Sequence, residues 1–514
     1  MGGNYERDVF KQLQEVMARL DKTEQEVKDT KKSWKKEVKE IKAEFAVERK
    51  ALKAEIRDLK TENKALRKEL SEVKSENKTL RNENSKLRSH LNNDSSNSSL
   101  PPSTDQKGNK GQKHKKANEY NGRTKSKKNV GGQDGHVGTT LSASYVKEKI
   151  NSGELERQIV DIGDKDLKYV TRYVLDYEIK PIVKELRFHA DEKGRIKIPN
   201  EYKNEVTYGE IIRSICVHLY SEGVVANERI GEFVNALCDG VIKISSGSVY
   251  NTIKSFAKKC EQEIEEIEKE LLRSEVLYTD ATVVTVNGKQ TYIRNQSIES
   301  AVLYNCMSSK SIEAIKNNTI LEAYNGILVH DHETAMYNFG AGHGECNAHL
   351  LRYLKKNTEE SNNKWSREMT DLLVEMNNAK KEKTAAGEWF TPEEIAAYEK
   401  RYDKIIRKGY RENKNTSSQY AKEEEYTLLN RIVKYKENHL LFIHDNRIKF
   451  DNNMSERDLR KCKNRQKMAG GFRKTSGQEM YCKIISVIET AKRKGEKIFD
   501  KIKQILQRKS VVTA

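Results

Sequence analysis

Residues 274–286 read "SEVLYTDATVVTV", and the way this stretch folds decides the rest of the chain. Val, Thr, Leu and Tyr dominate it. These residues suit a pleated, half-buried surface, so the stretch is expected to be a strand with Asp280 in its middle. "KQTYIRNQSI" (289–298) and "SAVLYNCMS" (300–308) have the same character and extend it into a meander. "SIEAIKNNTILEAY" (311–324) reads as a helix, and "NGILVHDHETAMY" (325–337) as a short, almost wholly apolar strand that ends at Asp331. An apolar strand covered by a helix belongs inside an α/β sheet. An acid at the C-terminal end of such a strand lies where ligands usually sit.

Asp280 alone reads equally well as a polar residue on a half-exposed strand. The pair says more, because adjacent strands would bring Asp280 and Asp331 together. Two carboxylates side by side repel unless they share a cation, and hard oxygen ligands of this kind suit Mg2+ or Mn2+.

A third acid comes from "DNNMSERDLRK" (451–461). As a helix over 451–466, it places Asn452, Glu456 and Arg460 on one face, with Asn453 and Arg457 in the next row. Glu456 could then be delivered to the sheet as a third carboxylate. Arg457, Arg460, Lys461, Lys463, Arg465, Lys467, Arg473 and Lys474, opposed by Asp458, would meet phosphates. The same spacing also describes a surface Glu456–Arg460 pair worth only about 0.3–0.5 kcal/mol, and spacing alone does not separate the two. "HGECNAH" (343–349) offers His343, Cys346 and His349. On a helix that spacing does not converge on one ion, and a fourth ligand is missing, so zinc is not expected. Packing behind Asp331 is.

The chain has 514 residues, a formal net charge of +18 and a mean hydropathy of −0.87. That is enough for several domains, and the positive surplus favours polyanion partners, nucleic acid foremost. The seven cysteines are scattered without a C-x-x-C pair, which fits a reducing cytoplasm. No signal peptide or membrane span is evident, so the expected location is the cytoplasm, at the nucleoid of a prokaryote.

The charge is unevenly placed. Leu52, Leu59, Leu66, Val73, Leu80 and Leu87 repeat every seven residues, with Ile56, Asn63, Leu70, Asn77, Asn84 and Leu91 in the companion seam. Residues 1–92 are therefore expected to form a parallel dimeric coiled coil, its seam amides fixing register. A solvated single helix or an intramolecular hairpin would carry the same pattern. Residues 93–142 read as a flexible linker whose 107–128 portion holds nine Lys/Arg, among them Lys113, Lys115, Lys116, Lys127 and Lys128, against Glu119. Such an arm can follow a phosphate backbone, or merely keep the chain soluble. Residues 143–200 form a small unit in which 157–199 reads as short strands. Residues 201–262 turn helical, and a helix-turn-helix there would aim Ser248, Tyr250, Asn251 and Lys254 at a DNA groove. A plain three-helix bundle gives the same pattern.

These motifs resemble the large transposase subunit of the insertion-sequence sixty-six family of DDE transposases. "NSSLPPSTD" (97–105) and "GGQDGHVGTTL" (131–141) resemble its linker and Gly-Gly-Gln motifs. "YTDATVVTVNGK" (278–289) and "YNGILVHDHETAMYN" (324–338) resemble its first and second aspartate strands. "ECNAHLLRYL" (345–354) is similar to its Cys-x-Ala-His-x-x-Arg helix. "FIHDNRIKFDNNMSERDLR" (442–460) and "SVIETAKRKG" (486–495) are similar to its third-acid helix and the helix after it. The resemblance implies a ribonuclease-H-like α/β core, parts 263–360 and 441–490, with a helical insertion at 361–440 and a basic C-terminal tail at 491–514. It implies Asp280, Asp331 and Glu456 as ligands of two Mg2+ or Mn2+ ions, Asp280 bridging them. It implies double-stranded transposon and target DNA as substrate, a homodimer or higher oligomer, and companion proteins of the same element. Two departures stand out. The family's cysteine-rich zinc module would fall in 143–200, which contains no cysteine. His332 follows the second aspartate where the family tends to have Gly, leaving open whether it crowds the site. The readings that remain beside an active transposase are a dimeric DNA-binding regulator and an inactive relic.

Overall fold

The computed structural model describes residues 3–92, 142–160, 162, 168, 170–199 and 202–508. The linker and the five arm lysines, Lys113, Lys115, Lys116, Lys127 and Lys128, lie outside the described residues. The chain divides into two units after Arg88. The first consists of helix α1 (Gly3–Asn92) as far as Arg88; its Leu52, Leu59, Leu66, Val73, Leu80 and Leu87 stand 48–60% exposed along one seam.

The second unit begins with α2 (Ala143–Asn151). Among the described residues of 157–199 there is no strand, contrary to the alternating pattern. Val160, Ile162, Val174, Tyr177 and Val183 are instead largely exposed. Alternation suits a strand, but a ladder needs a neighbour, and among the described residues this segment pairs with none. Helices α3 (Glu210–Ser221), α4 (Asn227–Leu237), α5 (Ser246–Lys259) and α6 (Glu261–Leu272) follow. Residues 238–245 join α4 to α5, a longer link than the three or four residues of a standard helix-turn-helix. Nor do these helices build a core of their own. Val217, Ile230 and Phe256 belong to the same apolar cluster as Leu277 and Val284 of the sheet.

That sheet has five strands in the order β3-β2-β1-β4-β5. β1 (Val276–Val286), β2 (Lys289–Ser297) and β3 (Val302–Met307) form the expected antiparallel meander. Asn287 and Gly288, both at positive φ, close the first hairpin, a conformation that Asn-Gly adopts at little cost. α7 (Ile312–Asn318) crosses over to β4 (Ile327–His330), which pairs parallel with β1 and is flanked in parallel by β5 (Gly342–Glu345). Neighbouring residues of β1 point to opposite faces: Leu277 joins the first core and Tyr278 a second.

The second core packs α8 (Asn347–Ser361) and the helices of the insertion, α9 (Trp365–Ala386), α10 (Pro392–Asn413), α11 (Gln419–Lys434) and α12 (Lys436–His444), against the Tyr278 face of the sheet. α10 opens with the capping box its sequence announces. Thr391 Oγ1 accepts from Glu394 N–H, and Glu394 Oε2 accepts from Thr391 N–H. Gly409 lies within this helix rather than at its end. It sits where a Cβ would stand 2.6 Å from Leu429 and 3.0 Å from Trp365, so it serves close packing. α13 (Asn453–Ala469) and α14 (Thr475–Arg493) return to the sheet. The expected basic tail is largely α15 (Ile498–Gln507), which buries Ile502, Ile505 and Leu506 in the first core. No helix among the described residues is long and apolar enough to cross a membrane.

Candidate functional site

β1 and β4 run parallel with Thr279 opposite His330, so the next residues, Asp280 and Asp331, follow side by side. Burial, and then the Asp331 charge, push the Asp280 carboxyl up to about 6. Burial would raise Asp331 too, but His349 and Arg352 outweigh it and hold Asp331 below its usual value.

α13 is fastened beside this pair by two buried asparagines. Asn452, at its N-cap, donates from Nδ2 to Thr279 O (2.8 Å) and from its backbone N–H to Cys346 Sγ (3.3 Å). Asn295 of β2 accepts the Asp280 N–H (3.0 Å) and donates to Ser455 O (3.4 Å) and Asp458 Oδ2 (3.2 Å). Asp458 also takes the Ser297 hydroxyl (2.6 Å) and pairs with Arg493 of α14. Asp458 is therefore an anchor between α13, β2 and α14.

Glu456 lies in the first turn of α13, where the unpaired N–H groups favour an anion. Its Oε1 is 3.2 Å from Arg352 and 3.9 Å from His349 Nδ1, both on α8. The same Nδ1 is 2.9 Å from Asp331 Oδ1. Asp331 and Glu456, distant in sequence, thus meet at one imidazole. The Glu456–Arg460 surface pair does not form; Arg460 is exposed and makes no ion pair among the described residues.

Sequence reading missed this role of α8. Cys346 and His349 do converge, together with Asp331, with one ligand atom from each within 4.8 Å of the others. His343 turns elsewhere, its Nδ1 3.3 Å from His330 Nε2. His332 does not crowd the aspartate. Its Nδ1 is 2.6 Å from the buried carboxylate of Glu345, which also accepts from Tyr337 and from Arg431 (2.9 Å). These partners hold Glu345 well below the usual carboxylate range, although burial acts the other way. Through Arg431, this carboxylate ties the insertion to β5. Asp445, a conceivable substitute for Glu456, is taken up by Arg447, and Asp451 by Asn453.

The residues expected to meet DNA divide into two groups. Tyr250, Asn251 and Lys254 are exposed along α5, and Arg457 and Arg460 along α13, joined by Lys467, Arg473 and Lys474. Lys461 is instead paired with Glu222 and Glu489. Arg465 lies among the rings of Tyr220, Tyr481 and Phe472, 4.5, 5.3 and 5.8 Å from their centroids. Asn453 is bonded to Asp451. Composition does not reveal which cations are internally paired.

Among curated proteins none matches the chain. The family model described as "Transposase IS66 family" matches residues 208–480, more than half of the sequence, from α3 through the sheet, the insertion and α13 into α14. The chain therefore belongs to the IS66 family of transposases.

Proposed function

We propose that the protein cleaves and joins DNA ends at a carboxylate triad of Asp280, Asp331 and Glu456. The observation that carries this reading is the convergence of Asp331 and Glu456 on His349, with Asp280 on the strand beside Asp331. The strand order, a three-stranded antiparallel meander with two parallel strands added on the β1 side, supports a ribonuclease-H-like core.

The donor set fits divalent cations. Asp280 and Asp331 follow side by side on neighbouring strands, Glu456 Oε1 lies 3.9 Å from the His349 Nδ1 that Asp331 Oδ1 approaches to 2.9 Å, and burial with the Asp331 charge disfavours the Asp280 anion. Asp280, Asp331 and Glu456 would hold two Mg2+ or Mn2+ ions, which when bound would activate the attacking hydroxyl and stabilise the leaving oxygen. Asn452 and Asn295 orient the acids by fixing α13 against β1 and β2. Arg352 balances the Glu456 charge. The exposed Arg457, Arg460 and Lys467 of the same helix would grip phosphates next to the acids. Metal-dependent nicking of double-stranded DNA by the full-length protein is the direct test.

The other parts serve assembly and DNA capture in this reading. Residues 1–92 dimerise the chain, and 93–142 tether the dimer to DNA. A fragment of residues 1–92 is expected to sediment as a dimer, because its half-exposed seam is continuous. A monomer at roughly tens of micromolar, where a marginal helix stays unpaired, would overturn that. Neutralising the nine Lys/Arg of 107–128 is expected to weaken binding to all DNA sequences and to flatten its salt dependence, by about one unit of log–log slope for each phosphate the arm no longer neutralises. An unchanged slope would leave the arm a role in solubility alone.

A further inference from the structure

The triad does not account for His349. Its side chain is buried, with the residue only 7% exposed, and it projects from the first turn of α8 between two of the three acids. One ligand atom each of His349, Asp331 and Cys346 lies within 4.8 Å of the others, and His349 Nδ1 is 2.9 Å from Asp331 Oδ1, the contact of an ion pair. An octahedral cation with bonds of about 2.1 Å sets neighbouring ligand atoms about 3 Å apart, which matches this separation. Glu456 Oε1, 3.9 Å from the same nitrogen, is near enough to serve the same ion.

We propose that His349 Nδ1 is itself a metal ligand, forming with Asp331 and Glu456 a mixed nitrogen–oxygen site that takes Mn2+ in preference to Mg2+. The inference rests on the triad reading and adds to it the choice of metal. Mg2+ seeks oxygen in strict octahedral geometry and binds imidazole poorly, whereas Mn2+ accepts nitrogen and oxygen together. Cys346, the third member of the cluster, is withheld from the ion: it is enclosed and its sulfur accepts the Asn452 N–H at 3.3 Å. That bond also fixes the N-terminus of α13, and with it Glu456. His343 cannot make up the ligand count, because it faces His330.

The experiment is a calorimetric titration of the full-length protein with MnCl2 and with MgCl2, together with pulsed electron paramagnetic resonance of the Mn2+-loaded form. The unaltered protein is expected to show nitrogen modulation from a directly bound imidazole. His349→Asn should lose that modulation, and its Mn2+-to-Mg2+ affinity ratio should fall by about tenfold, the scale on which metal sites respond to altered ligation. A Mn2+-loaded protein without nitrogen modulation would refute the proposal even if the variant failed to fold. So would a His349→Asn protein with an unchanged ratio, which would make His349 only a partner of Asp331. Failure of the triad reading looks different: Asp331→Asn would then bind Mn2+ as well as the unaltered protein does.

Discussion

Glu456→Gln is expected to leave DNA binding intact and to slow metal-dependent cleavage by at least two to three orders of magnitude, about 3–4 kcal/mol of barrier. The substitution keeps the shape of the side chain and removes the charge that would hold a cation. Binding should survive because Arg457, Arg460 and Lys467 remain exposed on the same helix while one negative charge disappears. Asp280→Asn and Asp331→Asn should have the same effect. Combining the changes should add little, since the three acids would act as a unit. Arg460→Gln is the control. It touches none of the acids, so it should weaken DNA binding modestly and leave the metal requirement unchanged. Cleavage that persists in Glu456→Gln would refute the triad and turn attention to Asp451, whose carboxyl is held above its usual value by burial first and then by the Glu456 charge.

The parts of the site legible in sequence are those in which one residue type has one physical use. An apolar, β-branched run interrupted by an acid has few readings other than a strand carrying a ligand, and both β1 and β4 formed where that pattern lay. Asn452 was legible only as a neighbour of Glu456. Its use, holding Thr279 O beneath the first aspartate, depends on a sheet that the local pattern does not contain. β5, with the sequence Gly-His-Gly-Glu, has no apolar alternation at all; it is a strand because β4 offers it an edge. Missing it hid the position of α8, and with it His349 and Arg352. Charge misled in the opposite direction. Lys461 and Arg465 read as part of a basic face, but Glu222, Glu489 and three aromatic rings come from distant segments to enclose them. The basic composition of the last residues likewise concealed the spacing of Ile498, Ile502, Ile505 and Leu506, which is that of one apolar helix face.

Glu425→Ala is expected to destabilise the helical insertion by about 3–5 kcal/mol, the scale of losing a buried charge whose partners remain. The Glu425 carboxylate is fully buried and gathers donors from four places in the chain. It accepts from Trp365 Nε1 (2.5 Å), Asn363 Nδ2 (2.8 Å), Asn413 Nδ2 (2.9 Å), Thr416 Oγ1 (3.0 Å) and Asn357 Nδ2 (3.2 Å). These lie at the end of α8, the start of α9, the end of α10 and the loop before α11, so one side chain sets how the helices meet. Removing it strands every donor at once, whereas Asn357→Ala removes only one. Burial alone would raise the Glu425 pKa, but the hydrogen bonds outweigh it and lower the value. The stabilisation is therefore fully present above the unfolded-state value, about 4.3, and is lost as pH falls through the lower folded value. The unaltered insertion should loosen in acid, and Glu425→Ala should lack that part of the pH dependence. Hydrogen exchange across α8 to α11 reads the effect locally, where a melting curve of the whole chain would blur it. Because α8 carries His349 and Arg352, faster exchange there should be accompanied by weaker metal binding at Asp331 and Glu456. Unchanged protection in Glu425→Ala would mean that the cost of burying the charge cancels the hydrogen bonds from its five donor residues, and that apolar packing around Trp365 and Leu429 alone holds the insertion against the sheet.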